Sequence, residues 1–201
     1  MTCIGITGGI GSGKSYVAQL LRDEFNIPIY DCDTEAKRLN NEDPAIRKAL
    51  IALVGPQVYD NSDTLVKAVL ADYLFQNEEN ATRINAIIHP AVRRDFRQWQ
   101  TKQTAEIVGL ESAILFESGF NQLVDKVLYV DAPLPLRIQR AMQRDGAEET
   151  QIEQRISRQH TEEYKTQADY IIQNEKTGKT ALMRQLRKIV LTLNRKPDKL
   201  C

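Results

Sequence analysis

No charge of one sign dominates this chain. Lys plus Arg and Asp plus Glu stand at 27 each in 201 residues, so no global field draws it to nucleic acid or to an anionic membrane. No apolar run approaches the roughly 20 residues a helix needs to span a bilayer. The opening MTCIGITGG has neither a basic stretch nor a long apolar core behind it, which argues against a secretory signal. Cysteine is scarce. Cys3, Cys32 and Cys201 are odd in number and unclustered, which gives neither a disulfide framework nor a zinc site and predicts reduced thiols in the cytoplasm. Low-complexity tracts and internal repeats are missing too. What remains is an ordinary globular composition, 42% apolar and 27% charged, long enough for one or two domains around a sizeable core.

One stretch departs from that ordinariness. GITGGIGSGKSY, residues 5–16, holds five glycines, which forfeit side-chain packing and lose extra backbone entropy on folding. CIGIT (3–7) before it is a short apolar run that predicts a buried strand. After it, Val17, Leu20, Leu21 and Phe25 recur at helical spacing, and NIPIYDCD (26–33) reads as a second strand. Within this strand–loop–helix setting, Gly8 to Ser15 fits G-x-x-x-x-G-K-[ST] in full, the phosphate-loop pattern. Successive backbone N–H groups and the helix N-terminus converge there on phosphate oxygens, where a Cβ would obstruct the approach. Lys14 supplies a point charge to the terminal phosphates, and Ser15 a hydroxyl ligand for Mg²⁺. The loop is expected to bind a nucleoside triphosphate.

AEIVGLES (105–112), KVLYVDA (126–132) and ADYIIQN (168–174) supply three more candidate strands, separated by helical patterns. The last helix carries an apolar stripe of Leu182, Leu186, Ile189, Val190 and Leu193. Five strands alternating with helices predict an α/β fold, a parallel sheet covered on both faces. Residues 34–95 exceed one crossover and predict a helical substrate lobe. Residues 135–167 predict a lid, whose dense charge and thin apolar face suggest few contacts with the core. The core is then 1–33, 96–134 and 168–201. A GTPase would carry N-K-x-D, and NEKT (174–177) does not match it. A transporter ATPase needs a longer domain. A compact chain with an insertion and a lid is what small-molecule kinases use to exclude water from phosphoryl transfer.

From end to end the chain resembles the dephospho-coenzyme A kinases. The resemblance rests on IGITGGIGSGKS, YDCD, IIHPAVR (87–93), LFESG (115–119), VLYVDAP (127–133), RAMQRD (140–145), RISRQ (155–159) and ADYIIQN, in family order. Tyr16 stands where Thr is common, Cys32 where Ala is usual, and LVK (65–67) where L-[DN]-R is frequent. The resemblance implies a phosphate-loop kinase that phosphorylates the ribose 3′-hydroxyl of dephospho-CoA with ATP and Mg²⁺, the last step of coenzyme A synthesis. No nucleic acid, membrane or obligatory protein partner is expected. A kinase for another small metabolite or nucleotide, and an idle nucleotide-binding module, are the alternatives.

The candidate ATP-binding set is Gly8, Gly9, Gly11, Ser12, Gly13, Lys14, Ser15, Tyr16, Arg140, Arg144 and Asn174. Asp31 and Asp33 close the second strand, at the edge where α/β proteins bind ligands. Alternation sends both carboxylates the same way if the strand persists, and helix capping by Asp33 is the alternative. The resemblance makes Asp33 the general base, with Lys14 and Arg140 as its catalytic partners. Asp131, ending the fourth strand, is the rival carboxylate. His89 before Pro90 is expected to lie outside helical geometry, with Pro90 opening the next helix. The resemblance places His89 beside the acceptor. Arg93 and Arg97 share the following helix face, where contact with substrate phosphates and a solvated surface are the two readings. Arg137, Arg140 and Arg144 share one face of a lid helix, with Arg155 and Gln159 in the same segment and Glu117 carried over weakly. Cys32, between two acids, is expected to be inert.

Lys14→Ala removes charge from the phosphate loop without touching packing. It is expected to lower turnover by about 10²–10³-fold or more, while circular dichroism shows an intact fold. Near-normal turnover would sink the assignment of the loop.

Overall fold

The computed structural model describes residues 1–159, 161–175 and 178–194; Cys201 lies outside the described residues. The elements run β1 (Thr2–Thr7), α1 (Lys14–Phe25), β2 (Ile29–Asp31), α2 (Cys32–Glu42), α3 (Pro44–Val54), α4 (Lys67–Phe75) and α5 (Glu78–Thr101). They continue with β3 (Ile107–Glu111), β4 (Lys126–Asp131), α6 (Leu134–Asp145), α7 (Glu149–Ser157), α8 (Thr161–Thr166), β5 (Tyr170–Gln173) and α9 (Gly178–Leu193). The chain divides into two compact units, Met1–Tyr30 with Gln103–Cys201, and Asp31–Lys102.

The first unit holds the expected five-stranded parallel sheet, ordered β2-β3-β1-β4-β5. β1 sits at its centre because both its faces are apolar: Cys3, Ile4 and Ile6 are buried. Its N-terminal end is pinned to the segment before β4, with Cys3 N–H donating to Asp125 Oδ2 at 2.7 Å and Asp125 N–H to the Cys3 carbonyl at 2.8 Å. Burial, and next the Asp125 charge, push the Cys3 thiol up to about 12, so this cysteine stays a thiol at neutral pH. Gly109 in β3 leaves room for Ile29 Cδ1 and Ile6 Cδ1 across the sheet. One face packs Val17, Ala18, Leu20 and Leu21 of α1 with Leu182, Leu186 and Ile189 of α9. Val190 and Leu193 complete the expected α9 stripe as partly buried neighbours.

The second unit is helical, and its helices start where the sequence offers caps. Asp43 accepts from Ala45 N–H and Ile46 N–H, with Pro44 at the first helical position of α3. Asn77 accepts from Asn80 N–H and sets two acids, Glu78 and Glu79, in the first turn of α5. Arg38 of α2 reaches Glu35, Glu42 and Asp95 at 2.6–2.9 Å, which ties α2 to α5.

Two local expectations give way here. β2 ends at Asp31 and α2 begins at Cys32, so Asp31-Cys32-Asp33 straddles a strand–helix junction and strand alternation no longer relates its acids. Pro90 does not open a helix; it lies inside the 24-residue α5, and His89 is helical. An internal proline costs about 3 kcal/mol, and α5 carries it because Ile84, Ala91, Val92 and Phe96 stay buried in phase on both sides.

Leu186 is fully buried at the centre of the α9 stripe. Leu186→Ala is expected to lower the unfolding free energy by about 2–5 kcal/mol, read by urea titration; an unchanged midpoint would mean that α9 is not part of the core.

Candidate active site

The bare backbone of the loop is matched by what closes on it. Gly11 and Gly13 adopt left-handed φ of 75° and 87°. A Cβ at Gly11 would strike the Arg137 carbonyl oxygen, and one at Gly13 the Asn174 side-chain amide. At Gly8 it would meet the Val130 carbonyl and lie 2.6 Å from Ser12 Oγ. Gly9 is buried, and its carbonyl accepts from Ser12 N–H at 3.0 Å. Helix α1 begins without any side-chain cap, so the N–H groups of its first turn remain available to an anion. Ser12 Oγ is buried and has no hydrogen-bond partner among the described residues. Such a group costs about 1–3 kcal/mol until something satisfies it.

Behind the loop, Ser15 Oγ donates to Glu111 Oε1 at 2.6 Å. Glu111 ends β3, only 6% exposed and level with Ile6 of β1. Two hard oxygens side by side are a donor set that suits Mg²⁺, which takes most of its other ligands from phosphate and water. Glu111 belongs to none of the sequence motifs. Its signal was an acid at the C-terminal end of a buried strand, but the strand order that brings β3 against β1 is not written in any motif. The rival Asp131 sits two residues beyond Tyr129, the partner of Thr7, and opposite Gln173 of β5. It accepts from Lys165 Nζ at 2.5 Å and from Gln173 Nε2 at 3.2 Å.

The three arginines of α6 share a face yet go to different partners. Arg137 is buried, and its Nε donates to the Ile10 carbonyl at 2.9 Å. Ile10 N–H donates in turn to Gln159 Oε1 at 2.8 Å, so both peptide groups of one loop residue are held by the 135–167 segment. Arg140 Nη1 donates to the Asn174 carbonyl at 3.1 Å and to the Ser12 carbonyl at 3.4 Å. Burial draws its guanidinium below the ordinary value, but an arginine stays charged at any physiological pH. Arg144 instead makes a two-point pair with Asp145 at 2.7 and 3.0 Å, which Arg155 joins at 2.7 Å. These two arginines hold the Asp145 carboxyl well below the usual carboxylate range.

The same segment is better anchored than its composition suggests. Ile138, Ala141 and Ile152 form a buried cluster against which Ile10 and Ile156 pack. The Tyr164 ring stacks on Phe116 at 4.7 Å and 12°, and the Glu117 carboxylate beside it raises the Tyr164 phenol, after burial. Asn174 Nδ2 donates to the Ser12 carbonyl at 2.8 Å. Asn174, Gly13, Tyr16, Arg140 and Leu182 line a cavity of about 330 Å³ at the loop's edge.

In the second unit the two aspartates differ. Asp31 is the cap of α2: its Oδ1 accepts from Asp33 N–H and Thr34 N–H, and its Oδ2 from the Thr34 hydroxyl at 2.7 Å. The Asp33 carboxylate, exposed on the first turn of α2, takes part in none of these contacts. Cys32 between them is buried. His89 and Arg93 lie one turn apart on α5, both half-buried, while Arg97 is exposed. Burial, and next the Arg93 charge, hold the His89 imidazole below its ordinary value, so it is neutral at pH 7.

A family model for dephospho-CoA kinase matches residues 2–180. The chain belongs to the dephospho-CoA kinase family. Its similarity to a dephospho-CoA kinase of Bacteroides fragilis is 46% identity over 200 residues, covering 98% of this chain and 96% of that protein. A crystal structure of TT1252 from Thermus thermophilus superposes with a TM-score of 0.84 at 32% identity, over 97% of this chain and 98% of the other. Shikimate kinase from Bacteroides thetaiotaomicron shares the fold alone, with a TM-score of 0.58 at 14% identity over 96% and 99% of the two chains.

Glu111→Gln keeps an acceptor for the Ser15 hydroxyl and removes the charge. Apparent Mg²⁺ affinity is expected to fall about 10–100-fold, measured as the Mg²⁺ dependence of turnover. A wild-type Mg²⁺ curve would show that Glu111 only holds Ser15 in place.

Proposed function

We propose that this chain transfers the γ-phosphoryl group of ATP to the ribose 3′-hydroxyl of dephospho-CoA, giving coenzyme A and ADP in the cytoplasm. The observation that carries the reading is a complete phosphate loop, backed by the Ser15–Glu111 pair, in a member of the dephospho-CoA kinase family matched along nearly its whole length. The open N–H groups of α1 and the loop bind the phosphates, and Lys14 neutralises charge at the β and γ positions. An oxygen of the transferred group also gives buried Ser12 Oγ the partner it lacks. Mg²⁺, held by Ser15 with Glu111 behind it, supplies charge neutralisation on the phosphate oxygens. Arg140, drawn to the Ser12 and Asn174 carbonyls, stands over the loop to stabilise charge on the phosphoryl group. The cavity beside Asn174 and Tyr16 takes the adenine.

The second unit supplies the acceptor site. Asp33 accepts the 3′-hydroxyl proton as the oxygen attacks the γ-phosphorus and the β–γ bridging oxygen leaves with ADP. The asymmetry between the acids supports this choice: Asp31 is committed to capping α2, while the Asp33 carboxylate is exposed. Neutral His89 hydrogen-bonds the acceptor, and Arg93 binds one of its phosphates.

The test is ADP release with and without dephospho-CoA, beside a panel of nucleosides and nucleotides bearing a 3′-hydroxyl. Release should depend on dephospho-CoA, and equal or faster release with another acceptor overturns the substrate. Asp33→Asn should lower turnover by about 10²–10⁴-fold with little change in ATP affinity, and Asp31→Asn should cost less. The reverse order would move the base to Asp31.

A further inference from the structure

Arg137 is a buried cation with no anion beside it. The residue is 7% exposed, and among the described residues its guanidinium reaches only the Ile10 carbonyl at 2.9 Å and Gln159 Oε1 at 3.4 Å. Both partners are neutral. Its neighbours on α6 are placed otherwise: Arg144 shares Asp145 with Arg155, and Arg140 is only partly buried. A buried charge is costly unless it is paired. The fold therefore carries here a positive charge whose counter-ion none of the described residues supplies.

What Arg137 touches is the phosphate loop, at two successive residues. Its main-chain carbonyl fills the space where Gly11 would carry a Cβ, and its Nε donates to the Ile10 carbonyl. Gln159 Oε1 takes the other side of Ile10: it accepts from the Ile10 N–H at 2.8 Å as well as from Arg137 Nη2. Two donors on one carboxamide oxygen settle which way the amide faces. The two peptide groups that flank Ile10 are therefore set by these side chains, just before the N–H groups that meet the phosphates. The residue type at 159 matters. An apolar side chain there would leave the Ile10 N–H unanswered, and a carboxylate would answer both donors but cancel the charge. A carboxamide satisfies the donors and leaves the charge in place. We propose that Arg137 and Gln159 are positioning residues for the phosphate chain of the nucleotide: they hold the Ile10 peptides in the receiving shape, and the phosphates supply the counter-charge that Arg137 lacks. In a buried site such an attraction is only weakly screened. The inference rests on the phosphate-loop reading of the function proposed above and assigns to these two residues the preference for a diphosphate or triphosphate over a monophosphate.

The probes are ADP and AMP, titrated calorimetrically into the full chain as wild type, Arg137→Met, Arg137→Lys and Gln159→Glu, with the thermal midpoint of each nucleotide-free protein beside them. Wild type should bind ADP more tightly than AMP. Arg137→Met should raise the Kd of ADP about tenfold or more and leave that of AMP within about twofold, and Arg137→Lys, which returns the charge, should recover part of the loss. Gln159→Glu gives the decisive readout, since it keeps an acceptor for both donors and pairs the buried cation. Its midpoint should be no lower than that of wild type, yet its Kd for ADP should rise about tenfold. A merely structural contact predicts the opposite, a wild-type ADP affinity in that variant. Wild-type ADP affinity in Gln159→Glu, or an equal loss for ADP and AMP, overturns the proposal; should Arg137→Met fail to fold, Gln159→Glu decides alone. If wild type binds ADP no more tightly than AMP, the phosphate-loop reading fails and the pair falls with it. If the affinities come out as expected but no ADP forms from ATP and dephospho-CoA, the acceptor is wrong and the positioning pair stands.

Discussion

At three glycines the phosphate loop of the first unit is closed through space that a single methyl group would fill. The Val130 carbonyl, the Arg137 carbonyl and the Asn174 amide each close on a loop glycine at Gly8, Gly11 and Gly13. These three neighbours come from the end of β4, from α6 and from the end of β5. The absence of Cβ atoms is thus what lets three distant parts of the chain converge on one turn. It also leaves α1 uncapped, so the donors that a Ser or Asp would normally satisfy are kept for phosphate.

The polar groups of the two units divide into committed and uncommitted ones. Asp31 and Asp145 each answer several donors, and Asp131 answers Lys165 and Gln173. Ser12 Oγ, Asn40 Oδ1 and Arg47 Nε, all buried, have no hydrogen-bond partner among the described residues. In a folded protein most buried polar groups are paired, so each exception is a place where the fold leaves hydrogen-bonding capacity in reserve. One lies in the phosphate loop and two in the helical unit.

Much of this was legible in the sequence. The loop, the strands and the α9 stripe follow from local patterns, because a phosphate loop is contiguous and buried strands are short apolar runs. What local patterns missed depends on partners far along the chain. Glu111 could be chosen over Asp131 only once β3 was known to lie against β1 with that register. The Asp-x-Asp segment resembles a strand end until the Asp31 carboxylate captures two N–H groups and starts α2. Pro90 looks like a helix start until the burial of Ile84 and Phe96 on either side carries α5 through it. The apolar face of 135–167 looks thin because Ile138 and Ile152 sit on different helices, and their cluster is completed by Ile10 from the loop. The division of the chain after Tyr30 and after Lys102 likewise follows packing, since α5 runs unbroken to Thr101.

The grip on Ile10 has a mechanical meaning. Its carbonyl is held by Arg137 from α6 and its N–H by Gln159 beyond α7, so the tip of the loop is fastened at two points to the 135–167 segment. That segment cannot swing as a rigid flap over a fixed hinge. Any outward rotation must either break both hydrogen bonds and pull Ile10 from its apolar neighbours, or drag the tip of the loop along. The position of that segment and the shape of the phosphate loop are thereby coupled through one residue: neither changes without the other.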